Sequence, residues 1–251
     1  MVDATRLEVL EGRLRVLVPE RYSEPGVEVR PGSMASAGLQ FGADGRVAWD
    51  RMWGSFCDLA MAGGPPHKGT LLTAGSAAEI AAEAFAGSGR YGRVVEEICR
   101  GVALVTGMVA EESPVAGWVR VACPERGMAG WLLRAITMEN VAVRSSERGT
   151  LDLPAGPGFR VEKEIKNVVT VIAKTTHYWR GHMGVGQREK IAELLEEMGP
   201  PVQAEEWVAV EFGEVGAAVR GMRLLVAENV LARREGTAVM VGVGDLLDRV
   251  R

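Results

Sequence analysis

"TMENVAVR", Thr137 to Arg144, and "VAENVLAR", Val226 to Arg233, write Glu-Asn-Val-x-x-Arg twice in one chain. Extending both stretches without a gap, 117–144 over 206–233, keeps the match going. Trp118 falls on Trp207, Val119 on Val208, Val121 on Val210, Glu125 on Glu214, Gly127 on Gly216 and Ala129 on Ala218. Arg134 falls on Arg223, Glu139 on Glu228, Asn140 on Asn229, Val141 on Val230 and Arg144 on Arg233. These eleven identities stand against about two expected from average residue usage, so the pattern reads as an internal duplication.

Each copy has the same grammar: an alternating strand from its tryptophan, a glycine-containing corner, a helix, and a second strand entered through Glu-Asn-Val. Strand, helix and strand closely joined predict a βαβ unit with parallel strands and a right-handed crossover. A helix precedes each copy, over 93–110 and 187–198, giving helix-strand-helix-strand units related by a pseudo-twofold axis. The repeated Glu and Arg have two readings. Glu139, Glu228, Arg144 and Arg233 pair to hold the corner, or Arg144 and Arg233 converge on an anionic ligand with Asn140 and Asn229 as donors.

The rest of the chain is placed around these units. Residues 7–18, "LEVLEGRLRVLV", alternate about Glu11-Gly12, and 39–50, "LQFGADGRVAWD", alternate about Ala43-Asp44-Gly45. Both predict hairpins, so the N-terminal third is expected to be β-rich. A short helix through Phe56 and Leu59 must stop at Gly63-Gly64-Pro65-Pro66. Ser76 and Glu79 form a capping box for a helix that carries Ile80 and Phe85 and is stopped by Gly87-Ser88-Gly89. Ile165, Val168, Val169, Ile172, Thr176 and Trp179 recur at helical spacing, predicting a long amphipathic helix over 161–180 that ends at Gly181. The class is α/β or α+β. Residues 1–75 form a hairpin-rich part with the "GGPPHKG" loop, 76–155 the first unit, and 156–251 the linking helix and second unit, in one compact fold.

The 251 residues, 47% hydrophobic and 25% charged, are globular in composition. A net charge of -4 and a pI of 5.6 argue against a nucleic-acid binder that works through a broad basic surface. The N-terminus does not read as a signal peptide and no apolar run is long enough to span a bilayer, so the expectation is a cytoplasmic protein without a membrane partner. Cys57, Cys99 and Cys123 lack metal or disulfide spacing and read as small hydrophobes. The common nucleotide-binding and hydrolase signatures are missing, and no cofactor is expected. "VGVGDLL", near the C-terminus, is too short for a dinucleotide fingerprint.

Only three histidines occur, and histidine is the side chain most readily poised for proton transfer near neutral pH. His67 stands in the Gly-Pro loop, whose Gly64 and Lys68 can approach an anion. Lys166, Thr170 and Lys174 follow at i, i+4 on the long helix, continued by His177 and Tyr178, with His182 beyond Gly181. The leading expectation is an enzyme acting on a small anionic metabolite. His177 and His67 serve as acid and base, Lys174 binds the anion, Tyr178 positions the substrate, and Asp58 orients a histidine. Hydrolase, lyase and isomerase chemistry all fit. Lys166, Thr170, His182, Arg144 and Arg233 are further ligand-binding candidates. The competing reading is a non-catalytic binding or assembly module, compatible with a homo-oligomer. A histidine-based metal hydrolase is a third, disfavoured because residues five apart on an α-helix diverge by about 140°, so no metal ligand is assigned.

Overall fold

Both Glu-Asn-Val triplets end a helix in the same way. In the computed structural model, which describes residues 4–22, 38–52, 58–86, 89–204 and 206–244, helices α4 (Met128–Met138) and α7 (Val215–Ala227) each stop on the repeated glutamate. The next residue, Asn140 or Asn229, takes a left-handed conformation with φ +60° or +69°. Asn tolerates that region better than other side chains carrying a Cβ. The Asn140 N–H donates to Thr137 O (3.0 Å) and the Val141 N–H to Ile136 O (3.4 Å). Asn229 and Val230 repeat this on Val226 O (3.1 Å) and Leu225 O (2.9 Å). This is a Schellman cap, which satisfies the last carbonyls of the helix and turns the chain out of it.

The helix and sheet are mixed, with two three-stranded antiparallel sheets. The first joins β1 (Ala110–Glu112), β2 (Trp118–Ala122) and β3 (Thr150–Pro154) in that order, and the second joins β4 (Glu206–Glu211), β6 (Ala238–Val243) and β5 (Ala232–Glu235). The strands expected to be parallel do not pair with each other. β4 and β5 do run parallel, since both are antiparallel to β6, but β6 lies between them. A turn at Gly236 (φ +59°) returns the chain into that gap. In the first segment β3 makes the corresponding return: it pairs with β2 on one side and meets Arg144 through an Asp152 bridge on the other. In the second segment strand, helix and strand follow in the expected order, whereas in the first the stretch after α4 makes only isolated bridges, and the returning strand was missed in both.

The N-terminal expectation fails more completely. Residues read as a hairpin form α1 (Ala4–Leu17), because Leu7, Leu10, Leu14 and Leu17 also recur at helical spacing. Gly12 is a solvent-facing helical position with nothing near its missing Cβ. α1 packs on α7 and on α6 (Val185–Met198). The second predicted hairpin shrinks to one bridge, Phe41 with Val47, around Gly45. Among the described residues before 76, no named strand forms.

α2 (Ala77–Ala86) starts at the predicted box: the Glu79 N–H donates to Ser76 Oγ (3.2 Å) and the Ser76 N–H to Glu79 Oε2 (2.8 Å). Phe56, Cys57, Gly87, Ser88 and the end of "VGVGDLL" lie outside the described residues. α3 (Arg90–Thr106) crosses α5 (Lys166–His177) closely, and a Cβ on Gly101 would stand 2.6 Å from Val169. Ile98, Trp131, Ile136, Val169, Ile172, Val119 and Leu151 belong to the core that α3, α4, α5 and the first sheet share. α5 is flanked by π-helical turns at Val161–Ile165 and Tyr178–His182, so helix runs on through Gly181. No helix among the described residues is long and apolar enough to cross a membrane.

Candidate functional site

Among the described residues, the candidate side chains fall in three places. The first is a buried ionic node behind the Gly-Pro loop. Glu139, fully buried at the end of α4, accepts from Lys174 Nζ (2.8 Å), from the Ala60 N–H (2.9 Å) and from the His67 N–H (2.8 Å). Lys174, 1% exposed, also faces Asp58 Oδ2 at 3.5 Å. Asn140 reaches the same loop, donating to Lys68 O at 2.7 Å. Gly64 is needed for packing, since its missing Cβ would stand 3.0 Å from Leu59 N. The loop is thus clamped by the carboxylate and the amide of the first repeated Glu-Asn.

His67 Nε2 sits 3.0 Å from Asn167 Oδ1. With Asn167 accepting, Nε2 carries the proton and Nδ1 is the basic nitrogen. Burial, and then the Lys174 ammonium, push the His67 pKa below its ordinary value against the opposing pull of Asn167 and Glu139. The lowered pKa favours the neutral imidazole. Lys174 itself is spent on internal carboxylates. The row expected to face a ligand is buried at Thr170 and Tyr178 as well, with the Thr170 hydroxyl on Lys166 O.

His177 is elsewhere. It lies ten residues beyond Asn167 on the same helix, which is about 15 Å along the axis at 1.5 Å per residue. Its Nε2 is 3.1 Å from His182 Nε2, with the ring centroids 4.9 Å apart. The expectation that residues five apart diverge assumed α geometry. Tyr178–His182 is a π-turn, in which i→i+5 bonding stacks residues five apart on one face. Buried Tyr178 lies 4.6 Å from the His182 ring, and Tyr22 lies 6.0 Å from Tyr178. Burial lowers the His177 pKa. Among the described residues, no group of three or more His, Cys, Asp or Glu gathers as for a metal ion. Cys123, buried, and Cys99, half-buried, are both free, and burial pushes their thiols up to about 12 and about 11. They are inert packing groups.

The third place is a cleft of about 800 Å³ between the two repeated segments. Trp118 and Trp207 both line it, with Ile80, Val141, Leu231 and Arg144 among its other walls. None of the three histidines is in those walls. Each tryptophan lies under the arginine of its own segment: Arg144 is 4.4 Å from the Trp118 ring centroid and Arg233 4.6 Å from that of Trp207. Arg144 gives Nε and Nη2 to Asp152 Oδ2, both at 3.1 Å, and Asp152 also holds Arg120 Nε at 3.3 Å. Nη1 of Arg144 has no partner among the described residues, and the side chain is 30% exposed.

The pairing expected between repeated Glu and Arg is therefore not what forms. Glu139 takes Lys174, Glu228 takes Arg6, Arg144 takes Asp152, and Arg233 takes Glu235 and Asn140 Oδ1. Asn229 in turn receives Arg134, so each repeated Asn is bonded to an arginine of the other segment. Sequence reasoning gave Trp118 and Trp207 no part in a site and missed Gln203 and Ser145 in the cleft wall. The signal was present, since tryptophan and arginine recur in both segments at one spacing. No protein-family model matches the chain, and no curated protein and no solved structure matches it.

Proposed function

We propose that the two segments are copies of one unit, and that the chain is a binding protein whose cleft between the copies takes a small, largely apolar metabolite bearing one anionic group. Duplication is supported by the eleven identities, by paired Schellman caps with Asn at positive φ, and by paired Arg-on-Trp stacks. The cleft carries the functional reading. Its size suits a metabolite, and pockets of this kind are mostly apolar with a few convergent polar groups. Two indole rings offer flat apolar area, and Nη1 of Arg144, without a partner among the described residues, offers a charge-assisted donor to a carboxylate or phosphate. The free thiols fit a cytoplasmic protein.

The experiment is a titration of the protein with a series of aromatic carboxylates and their matched amides, read by tryptophan fluorescence and by thermal shift. The reading expects saturable binding that favours the carboxylate about tenfold, on the order of 1.4 kcal/mol for one charge-assisted bond. Arg144→Gln should remove that preference, and Ala81→Phe, which fills the cleft from α2, should remove binding. Binding indifferent to both substitutions would overturn the reading.

One observation favours acid-base catalysis as a second reading: the His67 imidazole is fixed by Asn167, with buried Lys174 lowering its pKa. The two readings separate in one assay. If His67 is catalytic, a bound ligand incubated with the protein changes its NMR spectrum with time and does not with His67→Gln. If the protein only binds, neither protein alters the ligand.

A further inference from the structure

We infer that His177 and His182 form a two-histidine clip for a borderline divalent metal ion such as Zn²⁺, independent of the cleft. The argument starts from the two ring nitrogens. Their Nε2 atoms face each other at 3.1 Å. Two nitrogens each about 2.05 Å from one zinc ion are separated by that distance when the N–Zn–N angle is about 100°, close to the tetrahedral value. Without metal, two neutral imidazoles meet this way only when one Nε2 donates to the other, so one ring must hold its proton on Nε2. A metal ion takes both lone pairs at once.

The backbone and the neighbours hold this geometry. The π-turn brings positions 177 and 182 onto one face. The His177 ring lies over Gly181, whose missing Cβ would stand 3.6 Å from His177 Cε1. Tyr178, itself fully buried, flanks the His182 ring at 4.6 Å and 30°. The nearby cation Arg180 is turned away, with its guanidinium on Thr106 O and 3.5 Å from Glu125. His177 is solvent-exposed and His182 half-exposed, which leaves the metal's other positions to water or an incoming ligand. Imidazole nitrogen selects zinc, copper or nickel over magnesium or calcium.

The test uses the whole chain, stripped with a chelator and titrated with Zn²⁺ at about pH 7.5, where ordinary imidazoles are neutral. Calorimetry should show one Zn²⁺ per chain. His177→Ala and His182→Ala should each weaken binding about tenfold or more, because each removes one of only two protein ligands. Long-range proton–nitrogen NMR of the wild-type protein should show Nε2 of both histidines shifting together, while His67 stays in place. Mg²⁺ should produce neither effect. Zinc binding of unchanged strength in both variants, or no Nε2 shift at saturating Zn²⁺, would overturn the proposal. Should His182→Ala disturb the Tyr178 packing, the wild-type nitrogen shifts and His177→Ala still decide.

Discussion

Replacing Lys174 by Met tests whether the ionic node is what fixes the Gly-Pro loop. Methionine nearly preserves the apolar stem but removes the ammonium 2.8 Å from Glu139 Oε2. Glu139, 0% exposed, then keeps two backbone donors, Ala60 and His67, and loses its bonded cation. Breaking a buried pair by removing one partner costs about 3–5 kcal/mol. At roughly 2–4 °C per kcal/mol for a chain of this size, the melting midpoint should fall by about 6–20 °C. Calorimetry and urea unfolding measure this directly, and the Ala60 and His67 amide resonances should move most. Lys174→Met combined with Glu139→Gln removes both charges, so its loss should be smaller than the sum of the single losses. The equivalent Glu228, whose partner Arg6 is on the surface, should tolerate Glu228→Gln with no resolvable shift. A Lys174→Met loss below about 1 kcal/mol, in the range of an exposed pair, would refute the reasoning.

Asn140→Ala should cost about 2–5 kcal/mol, from the left-handed φ and from three lost side-chain bonds, to Lys68 O, to Arg234 O and from Arg233 Nη1. Asn140→Gly should cost about 1–2 kcal/mol less, since glycine adopts that φ freely, and urea unfolding with Ala no worse than Gly would contradict this. Gly156→Ala puts a Cβ 2.1 Å from Ala74 O and 2.8 Å from Phe159. It should cost about 3 kcal/mol or more, seen as a lower denaturation midpoint, because neither the backbone oxygen nor the ring can retreat cheaply. The lowered His67 pKa, caused first by burial and then by Lys174, means that the unfolded chain binds the proton more readily. Its contribution is complete above about pH 6.5, the unfolded value, and is lost as pH falls towards the folded one. His67→Gln should flatten the stability-pH slope in that window, as read by unfolding at stepped pH.

The corner of the fold was legible because its chemistry is local. Glu-Asn-Val specifies a cap that needs only one left-handed residue, and Ser76 with Glu79 specifies another. α1 was not legible, since Leu7 to Val18 satisfies a two-residue and a helical period at once, and packing on α6 and α7 decides between them. The inserted strands β3 and β6 were missed because an antiparallel return is set by pairing with distant residues, not by the segment's own pattern. The site candidates divided for a similar reason. The spacing of Lys166, Thr170 and Lys174 established a shared helix face, but only the approach of Glu139, 35 positions away, turned Lys174 from an anion binder into a buried structural cation. His177 and His182 were disfavoured as a metal pair on an α-helical angle that does not hold in a π-turn.

The central claim, that the repeated tryptophans are the two walls of one ligand cleft, is tested most directly by fluorine NMR of the protein labelled with fluorotryptophan. On titration with an aromatic carboxylate, the Trp118 and Trp207 resonances should shift along a single saturation curve. Trp131 and Trp179, buried against each other at 5.7 Å, should stay where they are. Shifts confined to other tryptophans, or Trp118 and Trp207 responding with different affinities, would contradict the account.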